Sequence, residues 1–122
     1  VPASPRDLEE RTERFASDVR VFVRSLPRTV GNLEDVRQLV RASGSVAANC
    51  IEANESLGAK DRLMRFRIAR KEAKEARLWL RLVNTAENSA LEAQRSLLAQ
   101  EAMELKLILT AIIKKLECPG PC

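Results

Sequence analysis

Apolar residues recur along this chain in steps of three and four, interrupted around Pro27, Gly58 and Asn84. That spacing puts them on one face of an α-helix. Leu8, Phe15, Val19, Phe22 and Leu26 form the first stripe, which ends at Pro27. Ser4-Pro5-Arg6-Asp7 ahead of it reads as a helix start, with Ser4 as N-cap, Pro5 at the first helical position and Asp7 three residues on. The second stripe is Val36, Leu39, Ser43, Val46 and Cys50, flanked by Val40, Ala47 and Ile51. Asn32, with Asp35 three residues later, is its expected cap and Gly58 its expected end. The third runs Phe66, Ala69, Ala73, Ala76, Leu80 and Val83, in a helix expected from about Ala59 to about Asn84. After a polar turn, Ser89 and Glu92 form a capping box ahead of Leu98, Ala102, Leu105, Leu109, Ile112 and Leu116, flanked by Leu97, Ile108 and Ile113.

Four amphipathic helices with short connections predict an all-α, antiparallel up-down-up-down four-helix bundle. Residues 1–117 form one domain, and 118–122 a flexible Cys/Pro tail. No stretch reads as a strand. The middle of the second helix, Ala42-Ser43-Gly44-Ser45-Val46-Ala47-Ala48, is almost entirely small. Gly44 alone costs roughly 1 kcal/mol of helix propensity. Close approach of a neighbouring helix is the expected reason for tolerating it.

Composition narrows the function classes. Hydrophobic residues make up 45% and charged residues 31%, which suits a packed domain and not a disordered tail. The apolar run from Leu105 to Ile113 is broken by Lys106 and Thr110 and is too short to span a membrane. The N-terminus has no signal-peptide pattern. With three cysteines no disulfide framework is indicated, and a cytoplasmic setting is expected. His is absent, so a general base near neutral pH would have to be a shifted Glu, Lys or Cys. No glycine-rich phosphate loop or nucleophile elbow is present. Cys50 lies on the core stripe, where a thiol is inert. Cys118 and Cys122 resemble half a zinc site without a second pair. No enzyme, metal, cofactor, membrane or small-molecule substrate is expected.

Charge is the feature that remains. Lys60 to Arg81 holds nine basic and three acidic residues, a net +6 in a chain whose total is +4. Arg67, Arg70, Lys74, Arg77 and Arg81 line one edge of the third helix, about 100° from its apolar seam. Glu72, Glu75 and Trp79 fall on the other edge. A row of cations is either a solvated or subunit-contact face, with ion pairs such as Lys71 to Glu75, or a surface for phosphates. With aromatics at 3%, base stacking has few platforms, which weakens single-strand binding.

Two stretches carry a family resemblance. Gln38-Leu39-Val40-Arg41-Ala42-Ser43-Gly44-Ser45-Val46-Ala47-Ala48-Asn49-Cys50-Ile51-Glu52-Ala53 resembles the second-helix motif of the bacterial four-helix-bundle family typified by 23S rRNA intervening-sequence proteins. Lys60-Asp61, then Phe66-Arg67-Ile68-Ala69-Arg70-Lys71-Glu72-Ala73-Lys74-Glu75-Ala76 with Leu78-Trp79-Leu80-Arg81-Leu82, resembles its third-helix motif. The resemblance covers most of Val19 to Val83. It implies a bundle able to assemble into a cyclic homopentamer. Some members are encoded inside 23S rRNA intervening sequences. A related branch, the accessory proteins of diversity-generating retroelements, engages a reverse transcriptase and nucleic acid as a basic pentamer. Fold follows from such a resemblance more firmly than function.

Two function classes stay open. In one, an oligomer binds RNA, DNA or a nucleic-acid-processing partner through Arg67, Arg70, Lys74, Arg77 and Arg81, extended by Lys60 and Arg62. In the other, a structural or protein-interaction oligomer spends those charges in subunit contacts. Asn49, Glu52, Glu72 and Glu75 are expected to form a polar clamp between helices or subunits, with Arg41 or Arg70 as partner. Trp79, with Leu78 and Leu82, widens the apolar surface beyond one seam.

Overall fold

The computed structural model describes residues 5–118. They form α1 (Pro5–Val23), α2 (Val30–Asn54), α3 (Ala59–Leu82) and α4 (Ser89–Glu117), with no strand among the described residues. Each helix packs on its neighbours in chain order and α4 closes back on α1; among the described residues no diagonal pair brings its backbones within 8 Å. The architecture is an up-down-up-down four-helix bundle. The α2–α3 contact is the most extensive and the α1–α4 contact the thinnest.

The predicted stripes point inward. Leu8, Phe15, Val19, Phe22 and Leu26 are all buried, as are Phe66, Ala69, Ala73, Ala76, Leu80 and Val83. The three alanines expose nothing, which lets α3 lie close against its neighbours. On α2, Leu39, Ser43, Val46 and Cys50 are buried and Val36 is half-buried. The α4 stripe turns at its C-terminal end, where Ile113 is buried while Ile112 and Leu116 are half-buried. A straight helix drifts against a fixed repeat, so the inward position moves by one residue. Among the described residues no helix is long and apolar enough to cross a membrane.

Gly44 does not serve close backbone approach within the chain. A Cβ built there would meet only Arg20 Nη2, at 3.3 Å, the far end of a flexible side chain. Arg20 is held along its own helix, Nη1 donating to the Ala16 carbonyl one turn earlier at 2.9 Å. Gly44 and Ala48 instead lie on the outer side of α2.

Helix ends depart from expectation in three places. The predicted Ser4 cap lies outside the described residues. Thr29, not Asn32, caps α2, its side chain accepting the Asn32 N–H at 3.1 Å. Asn32 is buried and ties two loops together. Its Nδ2 donates to the carbonyls of Pro27 (2.9 Å) and Asn84 (2.8 Å), and its Oδ1 accepts the Asn84 N–H at 2.8 Å. Gly58 starts α3 as its N-cap; α2 has already ended at Asn54.

The third difference is at α4. Asn88 is the cap, accepting the Leu91 N–H at 3.0 Å, and Ser89 is the first helical residue. Glu92 turns away from the backbone to accept from Thr85 and pair with Arg95. Those two hydrogen bonds, Arg95's first, hold its carboxyl below the usual range. Arg95 also donates to the Val83 carbonyl. Between these anchors Ala86 (φ 54°) and Glu87 (φ 58°) are both left-handed. Non-glycine residues pay roughly 1–2 kcal/mol for that conformation. Glu87→Gly is therefore expected to raise stability by about 0.5–1 kcal/mol after the glycine's own entropy loss, read as a higher urea midpoint. An unchanged midpoint would show the turn to be unstrained.

Cys50 is a free, buried thiol pushed up to about 12 by burial, against an opposing hydrogen bond with Thr12. At neutral pH it has negligible thiolate. Cys118 is disulfide-bonded, although the three cysteines indicated no disulfide framework. The remainder of the Cys/Pro tail lies outside the described residues.

Candidate nucleic-acid interface

The two polar edges of α3 face different neighbours. Arg41 of α2 reaches Glu72 Oε2 at 3.5 Å and Glu75 Oε1 at 3.4 Å, so the acidic edge lies along α2. Arg67 reaches Glu117 Oε2 of α4 at 2.5 Å, so the basic edge lies along α4. The core seam between them determines this arrangement, because burying it leaves one edge for each flanking helix.

The Arg67–Glu117 pair also sets the register of α3 against antiparallel α4. At equal rise per residue, Lys114 comes level with Arg70 and Lys106 level with Arg77 and Leu78. Both lysines fall on the side of α4 that carries Glu117. The cationic surface is thus a strip over two helices: Arg70, Lys74, Arg77 and Arg81 from α3, Lys106 and Lys114 from α4. Helix periodicity in α4 carries that signal, but only the pairing of α4 with α3's basic edge gives it meaning.

Neutralisation along the strip is selective. Glu117 is engaged by Arg67, and Glu92 by Arg95 and Thr85. Arg70, Lys74, Arg77 and Arg81 form no ion pair among the described residues. Lys74 and Arg81 are exposed; Arg70 and Arg77 are half-buried along their stems. Arg67 differs from the other four, since its charge is offset by a carboxylate in contact. Leu78, Leu82 and Leu107, exposed to 46%, 55% and 55%, lie beside the cations.

Asn49, Glu52, Glu72 and Glu75 do not gather into one cluster. Glu72 and Glu75 share Arg41, and Arg70 takes no part. Lys71 approaches Glu72, at 4.0 Å, and not Glu75. Asn49 is buried and donates to the Ser45 carbonyl (2.9 Å) and Oγ (3.1 Å) of its own helix. The Glu52 side chain is exposed. Glu72 is only 7% exposed, and its Oε1 has no hydrogen-bond partner among the described residues. Trp79 is half-buried against the core, its Nε1 likewise unpartnered. Among the described residues no group of three or more His, Cys, Asp and Glu could hold a metal ion.

The family model of the 23S rRNA-intervening sequence proteins matches residues 7–114, from the first turn of α1 to the last turns of α4. The chain belongs to this family. The match takes in α1 and α4 as well as the two quoted motifs, so the bundle and the α3–α4 strip both lie within family sequence. The chain is also similar to a crystal structure from Bacteroides thetaiotaomicron, described as a protein of unknown function from the S23 ribosomal protein family. Identity is 25% and the TM-score 0.74, covering 88% of this chain and 98% of that one. No curated protein matches this chain significantly.

Proposed function

We infer that this member of the family is a non-enzymatic, cytoplasmic binding protein that presents the α3–α4 strip to RNA or DNA. The family's name, with its link to 23S rRNA, makes structured RNA the first ligand to test. A nucleic-acid-processing protein, such as a reverse transcriptase, is the further partner on the same reading. The observation that carries it is the row Arg70, Lys74, Arg77 and Arg81, left without carboxylate partners while Arg67 and Arg95 take the acids that α4 offers nearby. Self-assembly, as the cyclic pentamer implied by the resemblance, would repeat the strip around a ring and multiply weak contacts through avidity. The outer face of α2, with Gly44 and Ala48 between exposed Leu33 and Ile51, suits that contact.

Binding of a hairpin RNA duplex as a function of salt tests the reading. Six cations contacting phosphates predict a slope of log K against log salt of about −5, and so a loss of about 10³ in affinity between 50 and 200 mM. No binding at 50 mM salt, or a slope near zero, overturns it. A second reading has its own support in Leu78, Leu82 and Leu107, which suit a subunit contact over the same strip. It predicts that charge reversal in the strip dissociates the oligomer.

A further inference from the structure

The thin α1–α4 contact leaves an open groove of about 570 Å³, continuing into a smaller hollow of about 220 Å³. Its floor is apolar: Phe15, Phe22 and Leu98 are buried core residues whose edges line it. Val21 and Leu97 stand at its rim, exposed to 50% and 73%. Leu97 is the second most exposed of the chain's leucines after Leu57, and unlike Leu57 it lies within a helix beside an apolar depression.

The polar rim carries the opposite sign from the α3–α4 strip. Asp7, Glu10, Asp18 and Glu101 line the groove against Arg11 and Arg14. Arg11 is already committed. It holds Glu101 at 2.7 and 2.8 Å and Glu104 at 2.9 Å, which raises its pKa further and fixes the separation of the two walls. Asp18, where the larger groove meets the smaller hollow, has no ion pair among the described residues. A net acidic, apolar groove is out of character for a chain of net charge +4. It repels phosphates and attracts cations.

We propose that the α1–α4 groove is a docking site for a cationic amphipathic helix of a partner protein. The groove follows α1 from Asp7 to Phe22, about 22 Å at the rise of an α-helix, room for about fifteen residues. A helix laid there becomes a fifth member of the bundle. Its apolar stripe covers Leu97 and Val21, and its lysines or arginines meet Asp18 first, then Glu10 and Glu101 beside their existing pairs with Arg6 and Arg11. The walls are already braced by Arg11, so docking requires little rearrangement of the groove. This site is separate from the α3–α4 strip and does not depend on it.

The probe is a fluorescein-labelled fifteen-residue leucine–lysine peptide of helical period, titrated with the full chain and followed by anisotropy. A leucine–glutamate peptide of the same apolar pattern is the comparison. The lysine peptide is expected to bind at least tenfold more tightly than the glutamate peptide. Leu97→Gln and Asp18→Lys are each expected to weaken it at least tenfold. Both positions are exposed, and melting curves are the check that the variants fold. Arg70→Glu with Arg77→Glu, which disables the strip, is expected to leave peptide binding unchanged. Equal binding of the two peptides, or indifference to both groove variants, overturns the proposal. So does loss of self-association in Leu97→Gln, which would make a second copy the occupant.

Discussion

Asn32→Ala is expected to cost about 3–5 kcal/mol of stability, more than any other single polar substitution in this chain. The side chain is 3% exposed and makes three long-range or loop-closing hydrogen bonds. Truncation orphans the Pro27 carbonyl and both the carbonyl and N–H of Asn84. Each half-buried orphan costs roughly 1–3 kcal/mol. The α1–α2 connection and the α3–α4 turn lose their tie, at the end of the bundle where left-handed Ala86 and Glu87 already need support. Thr29→Ala is the comparison: removing the actual N-cap of α2 costs roughly 1 kcal/mol. Urea unfolding of both variants decides the matter. A smaller effect for Asn32→Ala than for Thr29→Ala would show that the tie contributes little and that the cap dominates.

Arg70→Glu combined with Arg77→Glu is expected to lower affinity for the RNA hairpin at least a hundredfold at 100 mM salt. Each lost phosphate contact removes close to one released counterion, so two losses shift the slope by about 2. The introduced carboxylates add repulsion to the neighbouring phosphates. Both arginines are half-buried without a partner, so melting curves and the oligomeric state must be read alongside. Arg67→Ala with Glu117→Ala is the informative contrast. It removes one charge of each sign from an existing pair, and affinity is expected to stay within about threefold. If that neutral swap weakens binding as much as the double reversal does, Arg67 contacts phosphate and the pair opens on binding. Loss of self-association on the double reversal, where the wild-type chain self-associates, would instead assign the strip to subunit contacts.

Much of the fold was legible along the chain. Stripes stepping by three and four state which face of each helix is apolar, and burial of that face is the largest favourable contribution to folding. All five positions of the first stripe and all six of the third are accordingly buried, although Leu26 and Val83 lie just past the ends of α1 and α3. Helix termini were less legible, because several residues near each end can cap. Thr29 stands three residues before Asn32, and Asn88 one residue before Ser89; local spacing alone does not choose between them. Gly44 illustrates a different limit. Its small size suggested a close helix backbone, but within this chain only the end of the Arg20 side chain comes near it.

The candidate site divides in the same way. That α3 carries cations on one edge and carboxylates on the other follows from 100° per residue and required no tertiary information. Which charges are neutralised is a tertiary fact. Arg67 meets Glu117 fifty residues away, and Arg41 meets Glu72 and Glu75 across a helix interface. Lys106 and Lys114 join the strip only because α4 packs along the basic edge of α3. Asn32 becomes a tie only because the fold brings Asn84 to it across fifty-two residues. The groove between α1 and α4 belongs to neither helix. The sequence by itself determined the helices and their faces, because periodicity acts within a few turns. Packing decided partners, register and the open groove, because ion pairs and hydrogen bonds act over a few ångströms in space, whatever the separation along the chain.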